Sequence, residues 1–272
     1  MFGGRRLRAR RRFPHAASLT IVAGTPDDEE TAQLEASRST PDRLEVPRSS
    51  GVTFRRRWIV LFLAIYPVVA VWSLTNPTFA SPDETYHMAR AQSFARGDSS
   101  APFTTDGLPI ESVACFRFQP DVTAACQDLT WGPDGTQLAT RTDGYPPLFH
   151  GIASVPSLIF SDLAGAYVMR LWMAAVAVAA FAWAGTLMTR LRIGPLPLAS
   201  FVLAIIPTAA FVSSKVNPSG LAMATALLFV SGILSRYVNR DAESSALVAI
   251  LVGAGGLALG RRDGLLWVAV LY

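Results

Sequence analysis

A chain of 272 residues that is 51% hydrophobic and only 16% charged, with a mean hydropathy of +0.33, is too apolar for an ordinary soluble domain and too long for a single membrane anchor. Its net charge of +4 is uneven: residues 1–57 hold 12 of the 24 basic and 7 of the 20 acidic side chains, a net of +5, which leaves 58–272 near −1. A basic segment beside a membrane span accounts for that bias, and the basic residues lack the interleaved aromatics of a single-strand binder, so no nucleic-acid partner is implied.

The class is an all-α integral membrane protein. Residues 1–57 open on Arg5-Arg6-Leu7-Arg8-Ala9-Arg10-Arg11-Arg12, pass through Asp27-Asp28-Glu29-Glu30 and show no apolar periodicity, the pattern of a disordered cytoplasmic tail. Its arginines are either simply solvated or in contact with anionic lipid head groups, at about 1 kcal/mol each. The first transmembrane helix occupies 58–75, with Trp58–Leu74 apolar throughout. Arg55-Arg56-Arg57 before it and Asn76-Pro77 after it put the N-terminus in the cytoplasm, in the cell membrane.

Residues 76–162 then form a large exported loop with interfacial helices. It contains both cysteines, Cys115 and Cys126. Outside the cytoplasm a pair this close points to a disulfide, worth about 3 kcal/mol; zinc is the weaker reading, since neither CxxC spacing nor a nearby His is present. Tyr145–Phe160 is apolar but carries Pro146, Pro147, Gly151 and Pro156 around His150. It predicts a helix at the outer interface, or a partly re-entrant one, rather than a span.

Over 163–272 the predicted spans are Leu163–Met188, Leu196–Ser213, Leu221–Tyr237 and Ala246–Leu259, with a fifth beginning at Gly264. If Tyr145–Phe160 does not cross, Arg190, Arg192, Arg236 and Arg240 lie inside, and Lys215 with Arg261-Arg262-Asp263 lies outside. Arg170, eight residues into its span, is expected to snorkel or to pair with Asp162 or the loop. Gly264–Tyr272 would rise about 14 Å, half a bilayer core, so the chain is expected to stop within a membrane helix, as the N-terminal part of a longer protein would.

Chemistry concentrates at Ser81-Pro82-Asp83-Glu84-Thr85-Tyr86-His87. Ser at N-cap, Pro at N1 and Glu at N3 would make a capping box, which assigns Glu84 to its own helix. In the same helix Asp83 and His87 stand at i,i+4 and share a face, where a carboxylate and an imidazole can hold a divalent cation or act as a general base.

The order Asn76-Pro-x-Phe-x-x-Pro82-Asp83-Glu84-x-x-His87-x-x-Arg90-Ala91 directly after the first span resembles the hallmark of a family of bacterial polytopic membrane proteins, frequent in actinobacteria. That family is similar in layout to the GT-C glycosyltransferases, which use polyprenyl-phosphate sugars. Tyr145-Pro146-Pro147-Leu148, Asn217-Pro218-Ser219 and Arg261-Arg262-Asp263-Gly264 continue the resemblance, which covers residues 58–272, the N-terminal half of such an enzyme. It implies a GT-C-like bundle that moves a sugar from a lipid-linked donor to a cell-envelope acceptor on the outer face.

Asp83 takes the position of the GT-C catalytic carboxylate, as general base or, with His87, as ligand to Mg or Mn; Glu84 is the second catalytic candidate. Lys215, Arg261, Arg262 and Tyr145 are the candidate substrate-binding residues, the cations holding the donor phosphate. Asn217 stands where relatives often carry a carboxylate, so a second acidic site is not expected there. Besides the lipid-linked donor, membrane lipids are the implied partners, and the sequence leaves the oligomeric state open. The alternatives are a non-enzymatic envelope or lipid-binding protein and a transporter; mid-span ionisable groups, which transport sites use, are scarce.

Overall fold

The computed structural model describes residues 51–98, 103–105, 107–132, 136–138, 142, 144–191, 193–239 and 244–272. The Arg-rich stretch and acidic run of the tail, together with Arg192 and Arg240, lie outside the described residues.

The first helix, α1, is Gly51–Thr75 and runs on through Pro67. It starts ahead of Arg55, so Arg55-Arg56-Arg57 belong to its first turns and not to the tail, because no breaker separates them from the apolar run. A helix Leu163–Met188, here α4, lies antiparallel against it: Trp58 Nε1 donates to the Ala179 carbonyl at 3.1 Å, and Tyr66 Oη donates to the Leu171 carbonyl at 3.4 Å. Bonds near 58–179 and 66–171 alternate in opposite chain senses, which an antiparallel pair requires.

The expected span Leu196–Ser213 is broken. It consists of α5, Leu196–Ala204, and α6, Pro207–Ser213, bent by 56° at the junction. Pro207 has no N–H to continue the ladder and holds Ile206 extended, at ψ 160.

Helix α7, Pro218–Val238, and α8, Ser244–Gly260, then pack closely, followed by α9, Gly264–Leu271. Their contact uses small residues: a Cβ on Gly253 would come within 2.6 Å of the Phe229 amide, and one on Gly232 within 2.8 Å of Ile250. Backbones that approach this far without side chains between them suit a lipid-embedded interface, where dispersion replaces the hydrophobic effect.

Among the described residues, α1, α4 and α7 are long and apolar enough to cross a membrane, and the bent pair α5–α6 makes a fourth if it counts as one span. Helix α8, at 17 residues, is shorter than the ~20 of a straight crossing. The chain is thus an all-α, multi-pass integral membrane protein.

The long loop between α1 and α4 folds into a cap on one end of this bundle. Its elements are α2, Glu84–Ala95; a two-stranded antiparallel ribbon of β1, Phe103–Thr105, with β2, Thr136–Leu138; and α3, Pro147–Ala153. Seven residues of α3 rise about 10 Å, too little to cross, and a 3₁₀ turn at Val155–Leu158 follows at once. Phe79, Met88, Phe149, Met169, Met173 and Val216 share one core, so the cap is built on the same apolar cluster as the bundle end.

Cys115 and Cys126 are joined as a disulfide, and Gln127 next to it donates to the Thr78 carbonyl at 2.9 Å, tying this segment to the chain leaving α1. Replacing both cysteines by Ser should release about 3 kcal/mol of loop-closure stabilisation. Trypsin should then cut faster at the exposed Arg117, while helix content by circular dichroism stays unchanged.

Candidate functional site

The loop-side end of the bundle holds most of its buried charge. Arg170 of α4 and Glu84 at the start of α2 are both fully buried and meet in a bidentate ion pair, Nε to Oε1 at 2.8 Å and Nη2 to Oε2 at 2.6 Å. The remaining guanidinium N–H groups donate to the carbonyls of Ser73 at 3.1 Å, Asn76 at 2.9 Å and Pro77 at 2.8 Å. All five donors of the arginine are thereby matched. Glu84 Oε1 also accepts the Val216 amide at 3.2 Å, which draws in the turn between α6 and α7.

This arrangement replaces the expected capping box. Ser81 is buried with its hydroxyl unpaired, and Asp83, at φ 59, is the N-cap with no side-chain cap bond. A cap is worth about 1 kcal/mol. A carboxylate facing an arginine in apolar surroundings gains more than that, and Glu84 turns inward. Arg170 does not snorkel, and its partner is Glu84 rather than Asp162, whose carboxylate caps α4 by accepting the Gly165 amide at 3.0 Å.

Asp83 and His87 are likewise not brought together. The left-handed Asp83 sits outside the helix, so helical i,i+4 spacing does not apply; its side chain is exposed, while the His87 ring is 2% exposed and faces His150, Nδ1 to Nε2 at 3.1 Å. Among the described residues no group of three His, Cys, Asp or Glu side chains could hold a metal ion.

His150, on α3, is the site residue that sequence reasoning passed over, although a histidine inside an apolar, proline-rich run is itself a signal. The imidazole pair packs edge-on against Tyr145 and Phe149, the His87 ring lying 5.2 Å from Tyr145. Burial, reinforced by the guanidinium groups of Arg90 and Arg261, holds His87 well below its usual range. Burial, with His87 and Arg90 beside it, does the same to His150. Both rings are neutral, one donating to the other.

The candidate phosphate-binding residues divide. Lys215 is 1% exposed, its Nζ donating to the Trp72 carbonyl at 3.2 Å and lying 5.5 Å from the Phe211 ring. Burial first, then Arg170, lowers it to about 8 against the pull of Glu84. It closes the bundle end. Arg261 is partly open, held by Asp263 at 2.8 Å and by the Ser219 hydroxyl at 2.9 Å. Arg262 is exposed and lies against Gly144, where an added Cβ would meet its Nε at 3.2 Å.

Tyr145 contributes its carbonyl to Arg90 at 3.1 Å, and Thr142 offers a second carbonyl to the same guanidinium. Asn217 donates to the Pro82 carbonyl at 3.1 Å, so the residue preceding Asp83 is seated on the start of α7, two positions before the Ser219 that holds Arg261. Tyr145 and Arg261 thus lie beside the neutral imidazole pair, Arg262 lies against Gly144, Asp83 is exposed next to the Pro82 held by Asn217, and Glu84 and Lys215 are buried.

Residues 67–272 match the family described as "Predicted membrane protein (DUF2142)". No curated protein and no solved structure matches the chain.

Two outcomes test this arrangement. Glu84→Gln should cost about 3–5 kcal/mol by leaving a buried guanidinium uncompensated. Detergent-solubilised protein should show it as a large drop in unfolding free energy, and Glu84→Leu with Arg170→Leu should recover part of the loss relative to either single change. The second concerns pH. Rings that stay neutral when folded, but titrate near 6.5 when unfolded, bind fewer protons in the folded state below that value. Stability should thus be complete above about pH 6.5 and fall as pH drops below it, by up to about 1.4 kcal/mol per unit for each ring; His150→Leu should flatten the slope of the unfolding midpoint between pH 6.5 and 5.

Proposed function

The chain belongs to this family of predicted membrane proteins, and from its loop-side surface we propose that it transfers a sugar from a polyprenyl-phosphate donor to a cell-envelope acceptor on the outer face of the membrane. The observation that carries this reading is the fate of the two adjacent carboxylates. Glu84 is consumed by Arg170, whereas Asp83 is exposed at φ 59, with no side-chain cap bond, next to the Pro82 that Asn217 holds. A non-glycine residue in the left-handed region carries a local conformational cost of about 1 kcal/mol, least for Asp and Asn. Here that conformation turns the carboxylate away from its own helix and towards water.

Asp83 acts as the general base that takes the proton of an acceptor hydroxyl arriving from the aqueous side. Arg261 and Arg262 hold the donor phosphate and offset the charge that grows on it as the sugar leaves. The carboxylate of Asp263 fixes the first of these by its Nε and Nη2, and the Ser219 hydroxyl accepts from Nη1, while the side chain stays partly exposed. The neutral His87–His150 pair shapes the floor beside Tyr145 and adds no charge there.

Asp83→Asn introduced at the chromosomal locus should lower incorporation of lipid-linked sugar into envelope glycan by at least about a hundredfold, the usual loss on removing a general base, while the amount of protein in the membrane is unchanged. Normal incorporation by this variant would remove Asp83 from the reaction. Glu84→Gln separates the two carboxylates, since it should reduce the amount of protein instead.

A further inference from the structure

An apolar groove of about 640 Å³ runs along the bundle between α1, α4, α7 and α8. At ~1.5 Å per residue from the loop-side helix ends, Leu221 and Gly256 lie about 5 Å deep and Trp183 about 30 Å deep. Its length of about 25 Å exceeds the roughly 15 Å of one leaflet, so a whole acyl chain can lie in it.

The two ends differ chemically. On the loop side Leu148 and Ile152 of α3 line it and offer nothing to a phosphate. At the opposite end Arg55 is the one charged residue among the fourteen that line the groove, with Arg56 and Arg57 following it on α1. The Trp183 side chain lines that same end and adds apolar surface there.

We propose that the groove is a binding site for an anionic glycerophospholipid, its acyl chain running towards α3 and its phosphate at Arg55. This places the head group on the membrane face opposite the loop cap. The site is therefore separate from the donor phosphate position inferred above and independent of that reading. The charge at the Arg55 end and the apolar closure at the loop end decide the direction of the lipid.

The test uses the full chain, delipidated in mild detergent and offered phosphatidylglycerol and phosphatidylcholine in equal amounts, with bound lipid counted by native mass spectrometry. The wild type should retain one phosphatidylglycerol in preference to phosphatidylcholine. Arg55→Gln should reduce that preference about fivefold, the equivalent of the ~1 kcal/mol that one arginine contributes near an anionic surface. Val252→Trp, which fills the groove from an exposed lining position, should lose both lipids. Full retention by Val252→Trp overturns the proposal, as does an unchanged preference in Arg55→Gln. If Val252→Trp does not fold, the exposed Arg55 variant decides alone. A third arm offers undecaprenyl phosphate: displacement of phosphatidylglycerol that does not depend on Arg55 would assign the groove to the sugar donor and reject the phospholipid. Loss of sugar transfer in Asp83→Asn would leave all of these results unchanged.

Discussion

One ion pair sets the geometry of the loop-side end. A guanidinium placed inside an apolar span is costly unless each of its donors is met, and Arg170 meets all five: two on Glu84 and three on the carbonyls of Ser73, Asn76 and Pro77. Those carbonyls belong to the last turn of α1 and the residues just beyond it, groups that have no partner within a helix. The arginine thus completes the end of one helix, the start of another and the exit of the chain at once. Glu84 adds the α6–α7 turn through the Val216 amide. Removing either charge would leave the other stranded along with several backbone groups.

This explains why the acidic motif divides as it does. Two neighbouring carboxylates at a helix start would both be expected near solvent, where the helix dipole favours them. The pull of Arg170 turns the second inward, and the left-handed turn at Asp83 lets the chain do so while the first stays outside. Seating is completed from α7, where Asn217 caps its own helix through Ser219 and grips the Pro82 carbonyl with the same amide group. The position of Asp83 therefore depends on three helices although it bonds to none of them through its own side chain in the contacts described.

Much of this architecture is legible in the sequence. An apolar run with a positive flank marks α1, and Leu163–Met188 is found with the predicted bounds because Asp162 offers a cap immediately before it. The bend at Pro207 was missed, because hydropathy runs on through it and Leu196–Ser213 read as one span; the signal was the proline itself, which has no N–H to continue a helix. The Arg170–Glu84 pair was only half legible. A lone arginine within a span announces that a partner exists, but the partner lies 86 positions away and nothing local favours it over Asp162. Capping rules consider neighbours in sequence, and here a tertiary charge outweighed them. The pairing of the imidazoles was hidden for the same reason: His87 and His150 are 63 residues apart, and nothing local to either names the other as its partner.

The cap is thus bound to the bundle by buried charge as well as by apolar contact, and the consequence is mechanical. A loop that docked through hydrophobic surface alone could slide or lift at modest cost, because such contacts are non-directional. A bidentate pair with three further carbonyls on one guanidinium admits a single geometry, and opening it would expose two unpaired charges to a medium that solvates them poorly. Above that fixed geometry lie the exposed side chains of Asp83 and Arg262, and Arg261, which Asp263 and Ser219 hold at the surface. A rigid floor with exposed groups above it suits the proposed transfer, in which a water-soluble acceptor would be admitted without disturbing the membrane helices below.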